Sequence, residues 1–186
     1  MAFLHSEYDV KEDIREIVKR HYPGGDILSL PADNFLFEQK FPFAKITCCE
    51  KDPLTYVEGL KRRPSNVTYL NQDIFTVKGK FGLIWFDLCG AFQVSLINTL
   101  ISYFQQSQSE VICLTILAKR EGIDKVLQLY GAKDLEDFRI NTFPELISSF
   151  SDYRLSVICR YLSPNKSPML LYVFKIKPKK QTKQKP

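Results

Sequence analysis

The sequence predicts an α/β domain, a three-layer sandwich in which helices cover both faces of a mostly parallel sheet. Three observations point there. Short apolar runs alternate with stretches of helical spacing, the order expected of strand-helix units stacked into a parallel sheet. One run, Gly82-Leu-Ile-Trp-Phe-Asp87, stays apolar until it meets a carboxylate, as in a strand buried on both faces. The rhythm then changes near the end. The last two strand-like runs are joined by only seven residues, Leu162 to Pro168, too few for a parallel crossover and enough for a hairpin.

Taken in order, Asp9 to His21 places Val10, Ile14, Ile17 and Val18 on one helical face. Asp9 and Glu12 have capping-box spacing, and Pro23-Gly24-Gly25 ends the helix. Asp26 to Leu30 reads as the first strand, Pro31 to Asn34 as a turn, and Asn34 to Gln39 as a short helix. Ala44 to Glu50 is a second strand that ends on an acid. Asp52-Pro53 supplies an N-cap and a proline at the first helical position. Leu54, Val57 and Leu60 are the expected buried face of that helix. Asn66 to Leu70 is the third strand, with Asn71 to Phe75 as its exit loop. The fourth is the apolar run into Asp87, closed by a turn at Cys89-Gly90.

Phe92, Leu96, Ile97, Leu100, Ile101 and Phe104 then share a helical face, and Glu110 to Leu117 is a β-branched fifth strand. Helices are expected over Gly122 to Tyr130 and Thr142 to Phe150, the second with Thr142 and Glu145 at capping-box spacing. Tyr153 to Tyr161 and Met169 to Ile176 form the closing hairpin. No internal repeat is present.

At 186 residues the chain suits one well-buried domain. No apolar segment reaches the roughly 18 residues that a membrane span needs, and the N-terminus turns polar too soon for a signal peptide. The five cysteines are odd in number and make no CxxC pair, which argues for reduced thiols in the cytoplasm and against a disulfide frame or a zinc site. With only two histidines, His5 and His21, no metal site is expected. From Lys175 onward there are six lysines and no acid. Without them the 26 basic residues fall to 20 against 21 acidic, so the net charge of +5 belongs to an appendage. The expected organisation is a domain over 1–176 and a basic tail over 177–186.

In open α/β sheets, ligands gather at the carboxyl ends of the strands. Glu50, Asp73 and Asp87 each follow an apolar strand and so fall together at that edge. Cys48 and Cys49, adjacent in a strand, point to opposite faces. Cys89, Trp85 and Tyr69 read as core. Lys119-Arg120, after the fifth strand, reads as a solvated strand end, with a phosphate contact at the same edge as the alternative.

This order of elements, with its terminal hairpin, resembles the class I S-adenosyl-L-methionine (SAM)-dependent methyltransferase family over about residues 10 to 176. The resemblance implies seven strands in the order 3-2-1-4-5-7-6, strand 7 antiparallel, and SAM as cofactor. Ile27-Leu-Ser-Leu-Pro-Ala-Asp-Asn-Phe35 is similar to the family's V-L-D-L-G-x-G-x-G loop, with Ser29 in place of its acid and Pro31, Asp33 and Phe35 in place of glycines. By that resemblance Ser29, Leu30, Pro31 and Ala32 surround the methionine portion of SAM. Glu50 takes the ribose hydroxyls, and Lys51 edges the adenine. Gln72-Asp73-Ile74-Phe75 resembles the G-D-[IVA]-F loop, which sets Asp73 and Ile74 at adenine. Trp85-Phe-Asp87-Leu-Cys-Gly90 resembles I-x-x-D-x-x-[GP], which makes Asp87 the residue to meet the acceptor.

The function expected is methyl transfer from SAM to an acceptor, with nucleic acid favoured because of the basic tail and the acid after strand four. The second expectation is a non-catalytic methyltransferase-like module that binds RNA or a protein, since the glycine loop is absent. A nicotinamide-binding Rossmann protein would share Glu50 as a ribose acid, but it lacks GxGxxG and leaves the hairpin unexplained.

Overall fold

A computed structural model describes residues 2–3, 10–31, 35–118, 123–163 and 166–177. A single sheet runs through the molecule in the order β1-β7-β8-β6-β5-β2-β3-β4. Its strands are β1 (Ala2–Phe3), β2 (Ile27–Ser29), β3 (Ile46–Cys49), β4 (Val67–Leu70), β5 (Leu83–Ala91), β6 (Val111–Leu117), β7 (Tyr153–Leu162) and β8 (Pro168–Ile176). The helices are α1 (Val10–Arg20), α2 (Pro53–Leu60), α3 (Val94–Gln106), α4 (Ile123–Tyr130), α5 (Leu135–Asp137) and α6 (Phe143–Phe150). With β1 set aside, the order read from β4 is the expected 3-2-1-4-5-7-6, and β8 runs antiparallel to both β6 and β7. The eighth strand corrects the expected seven. Ala2 and Phe3 pair in parallel with Cys159 and Arg160 and so occupy the outer edge of β7.

Alternation along the strands divides the core in two. Leu28, Ile84, Phe86, Ile112 and Leu114 face Ile97, Leu100 and Phe104 of α3 and Phe143 and Ile147 of α6. Ile27, Leu83, Trp85, Val111 and Cys113 face Ile14 and Val18 of α1 and the rings of Phe35, Phe37 and Phe41. Cys48 and Cys49 fall on opposite sides of the sheet, as adjacent strand residues must. Among the described residues no helix is long and apolar enough to cross a membrane.

Several local expectations need correction. β5 does not turn at Cys89-Gly90. It continues to Ala91, with its pairing to β6 irregular between Asp87 and Ala91. Asn34 to Gln39 yields only a 3-10 turn over Glu38–Lys40. Thr142 does not cap a helix, because helical backbone already passes through it. Asp134 caps α5 instead, and a π-helical turn over Phe138–Thr142 joins α5 to α6. That widened turn frees the Arg139 carbonyl, which accepts a hydrogen bond from the buried Tyr172 hydroxyl at 3.0 Å. The Asp9 cap and the Lys119-Arg120 pair lie outside the described residues.

The largest correction concerns α2. Its start is as expected, since Asp52 Oδ1 accepts from the Thr55 N–H at 2.8 Å and Pro53 opens the first turn. Its buried face is not. Leu54 and Val57 are 79% and 51% exposed, and Leu60 is exposed as well. The helix packs through Tyr56 and Gly59 on the Tyr69 ring; a Cβ at Gly59 would lie 2.6 Å from a Tyr69 ring carbon. A glycine that admits a ring edge outranks a leucine stripe. Leu54→Ala should therefore change unfolding stability by no more than about 0.5 kcal/mol, whereas Leu100→Ala, fully buried in α3, should lose about 2–5 kcal/mol. Urea denaturation of both variants checks this, and a Leu54→Ala loss as large as that of Leu100→Ala would show α2 burying its leucines.

Candidate active site

The parallel register brings the strand ends level. Ser29 lies beside both Cys48 and Trp85, and Cys49 lies beside Leu70. The residues just beyond, Leu30, Glu50 and Asn71, therefore share one edge with Asp87. Asn71 strengthens the join by donating its side-chain amide to the Glu50 carbonyl at 2.8 Å.

One half of this edge is an open pocket. Leu30, Ile74, Phe75 and Leu88 wall a cavity of about 130 Å³, and Glu50, Lys51, Gln72 and Asp73 stand around it. Glu50 Oε1 accepts from the Asp52 N–H at 2.8 Å, which aims the carboxylate and leaves its second oxygen for a ligand donor. Asp73 caps the 3-10 turn over Ile74–Thr76, with Oδ1 accepting from the Phe75 N–H at 2.9 Å, and its second oxygen is likewise uncommitted. Below the pocket floor, burial pushes the Cys49 thiol up to about 12, with the Asp73 charge adding to it. That thiol stays protonated and inert. The residues fit an adenosyl group: two carboxylates for hydroxyl and amino donors, and apolar walls for a flat ring. The volume is below the roughly 300 Å³ at which small-molecule pockets usually begin.

The other half is filled. Ser29 is buried, and its hydroxyl donates to Glu38 Oε1 at 2.7 Å while lying 3.2 Å from Cys48 Sγ. Glu38 is only 1% exposed. Burial raises its pKa above the usual carboxylate range, opposed by the Ser29 hydrogen bond and reinforced by the Asp87 charge. Phe37 sets its ring edge-on to Trp85 at 4.3 Å, and Trp85 Nε1 donates to Thr115 Oγ1 at 2.9 Å. Lys40 bonds to Glu12 and, at 2.7 Å, to Glu16, stitching this segment to α1. What remains between Lys11, Glu38, Trp85 and Asp87 is a cleft of about 20 Å³, space for about one water.

Asp87 reaches the edge as expected, but its Oδ2 forms an ion pair with Lys11 of α1 at 2.9 Å, and its side chain is only 13% exposed. Of the loop residues, Leu30 lines the pocket and Pro31 is buried, while Ala32 lies outside the described residues. Phe35, in place of a family glycine, takes the left-handed backbone with φ 51° and buries its ring on Tyr69. The backbone thus keeps a conformation that glycine makes easy. Sequence reasoning missed Glu38, Phe37 and Lys11. An acid within a polar-looking Glu38-Gln-Lys40 stretch carries no signal of burial.

No protein-family model matches the sequence, and no curated protein matches it either; the likeness to known proteins is one of structure. A Burkholderia thailandensis 1,6-didemethyltoxoflavin-N1-methyltransferase, solved with 1,6-didemethyltoxoflavin and S-adenosylhomocysteine bound, superposes with a TM-score of 0.64 at 11% identity, over 92% of this chain and 80% of that one. The N-methyltransferase NodS from Bradyrhizobium japonicum WM9 gives 0.60 at 13% identity, over 92% and 99%. The M. jannaschii tRNA m1G37 methyltransferase gives 0.61 at 14% identity over 94% of this chain, which spans only 52% of that protein. The chain has the class I methyltransferase fold. The fold carries an open pocket ringed by Glu50 and Asp73 at one half of its edge and a self-filled cleft at the other.

The buried carboxyl makes a measurable statement about stability. A raised pKa means that the native state holds the Glu38 proton above pH 4.5, where the unfolded chain releases it. Its contribution is fully present below that pH and is lost as pH rises through the raised value. Relative to Glu38→Gln, the wild-type protein should lose stability with increasing pH by up to about 1.4 kcal/mol per unit. Urea unfolding of both proteins across pH checks this. Parallel curves would mean that Glu38 ionises as it does in the unfolded chain.

Proposed function

We propose that the chain is a SAM-dependent methyltransferase whose acceptor is a nucleic acid. The observation that supports cofactor binding is the pairing of Glu50 and Asp73 across an apolar pocket at the carboxyl edge. In this reading Glu50 accepts from the ribose hydroxyls, Asp73 takes the adenine amino group, the Ile74 backbone serves the ring, and Lys51 edges it. Leu30 and Pro31 border the methionine portion, which takes its place only when the filled cleft beside Ser29 opens. Bound SAM supplies an electrophilic methyl group. The chain's own task is alignment of donor and acceptor, and its residues make no covalent bond. Asp87 is the group placed to orient the acceptor, once Lys11 releases it. The nucleic-acid acceptor is supported by the basic tail and by neighbours such as the tRNA m1G37 methyltransferase and the 23S rRNA methyltransferase ErmE, which shares the fold at a TM-score of 0.55.

A second reading has a specific observation behind it. Glu38, Phe37 and the Lys11–Asp87 pair fill the space beside the adenosyl pocket, which favours a module that binds without methylating. Calorimetric titration with SAM, S-adenosylhomocysteine and methylthioadenosine separates the two, because methylthioadenosine lacks the amino-acid end. The methyltransferase reading expects micromolar SAM binding, tighter than methylthioadenosine, and a loss of about tenfold or more in Glu50→Ala and in Asp73→Ala, each removing one charged-group hydrogen bond. Equal affinity for SAM and methylthioadenosine, or no binding of any of the three, would put the module first. Unchanged affinity in both variants would remove the site assignment.

A further inference from the structure

We propose that the opposite edge of the sheet, where the parallel strands begin, is a binding surface for single-stranded nucleic acid built on Phe43, Lys45 and Arg63. Phe43 is the anchor. It is 100% exposed, in a chain that buries Phe35, Phe37 and Phe41 a few residues before it. Its position is fixed rather than loose. Phe41-Pro42-Phe43-Ala44 is a β-turn closed by the Ala44 N–H on the Phe41 carbonyl at 3.1 Å, with proline at its second position. Asn66 clamps the same turn, donating to the Phe41 carbonyl at 2.9 Å and the Ala44 carbonyl at 3.0 Å. An aromatic face held out in water on a hydrogen-bonded turn is what a nucleobase stacks on, and every base presents a π-face to it.

The cations around this ring are set by topology. Asn66 ends the loop that carries Arg62 and Arg63, so its two hydrogen bonds join that loop to the Phe43 turn. Lys45 follows Phe43 by two residues at the mouth of β3. Tyr22 packs edge-on to Phe41 with ring centres 5.0 Å apart, which brings in Lys19 and Arg20 from the end of α1. All five of these basic side chains are exposed. Lys45 and Arg63 have no ion-pair partner among the described residues. The acids nearest these loops are Asp26 and, in the last turn of α2, Glu58, which is already paired with Lys61 at 2.6 Å; Glu110 and Asp152 stand farther along the same end, beside Lys177. The last described residue, Lys177, stands at this same end of the sheet, ahead of Lys179, Lys180, Lys183 and Lys185. By contrast the carboxyl edge displays Glu50, Asp52 and Asp73, which repel phosphates. The backbone of a single strand is drawn to the basic edge, and Phe43 takes a base.

The test is fluorescence anisotropy of the full chain with a fluorescein-labelled oligouridylate, measured without SAM so that it stands apart from adenosyl binding. Phe43→Ala should weaken binding about five- to one-hundred-fold and leave its salt dependence alone. Lys45→Gln with Arg63→Gln should lower the slope of log affinity against log salt by about 0.7 per cation removed. A duplex of the same length should bind without sensitivity to Phe43. All three residues are at the surface, so far-ultraviolet circular dichroism should be unchanged. Wild-type affinity in both variants would overturn the surface. So would equal binding of duplex and single strand with Phe43→Ala silent, or binding of phosphatidylserine vesicles through these residues with none of the oligouridylate.

Discussion

The setting of β5 against β2 rests on one close approach at Gly82. A Cβ there would sit 1.6 Å from the Gly24 carbonyl oxygen, while the Gly82 N–H donates to the Asp26 carbonyl at 2.8 Å. Any larger residue would push the start of β5 away from the loop that feeds β2. The consequence is felt at the far end of the same strands. Because Ile27 pairs with Leu83 and Ser29 with Trp85, the carboxyl ends of β2 and β5 finish together, and Leu30 and Leu88 meet as the shared wall of the pocket. A one-residue slip would turn every side chain of β5 to the wrong face, carrying Asp87 away from Lys11 and Trp85 out of the α1 side of the core.

The filled half of the edge follows from the same constraint combined with a loop that has no glycine. Where a glycine loop would leave room beside Ser29, this chain brings back Phe35, Phe37 and Glu38 and packs them under α1. Two of these choices are locally unfavourable. Phe35 holds a left-handed backbone, which costs a non-glycine residue on the order of 1–2 kcal/mol. Glu38 buries a carboxyl, tolerable when it stays neutral and hydrogen-bonded. Two buried aromatic rings, with edge-on contacts to Tyr69 and Trp85, offset those terms. Asp87 nearby is paired with Lys11, so the edge holds one acid whose charged form burial disfavours and another balanced by a cation.

The strands were legible because burial on both faces leaves an unmistakable mark: runs such as Ile84 to Phe86 or Ile112 to Leu114 admit no polar residue, whereas their order in the sheet came from the family resemblance. The positions of Glu50 and Asp73 followed from strand ends alone, and they do share a pocket. The face of α2 was not legible, because Leu54, Val57 and Leu60 announce only that they are apolar, whereas Gly59 decides contact by what it lacks. Thr142 and Glu145 have the right spacing for a cap, yet a cap needs a helix to begin there, and Asp134 had begun one earlier. Glu38 was hidden for a related reason. Burial of a lone acid depends on Ser29 and Cys48 arriving from two other strands, and neither is its neighbour in sequence.

The two edges of the sheet now carry opposite characters, and that has a mechanistic consequence. Phe43 precedes the first residue of β3 and Glu50 follows its last, so the four steps from Ile46 to Glu50 alone separate the two ends by about 13 Å at the strand rise of roughly 3.3 Å per residue. A base stacked on Phe43 is therefore not the group that meets the pocket beside Glu50 and Asp73. An acidic rim at the pocket mouth would also repel a phosphate backbone laid directly across it. If one polymer serves both edges, it must be held at the basic end and pass around the outside of β4, the free edge strand beside both Arg63 and Glu50, to reach the other. The exposed leucine and valine face of α2 lies along that same flank. Affinity and chemistry would then be separable properties of this chain, with its charge governing how long a strand stays and the Glu50–Asp73 pocket governing what is done to it.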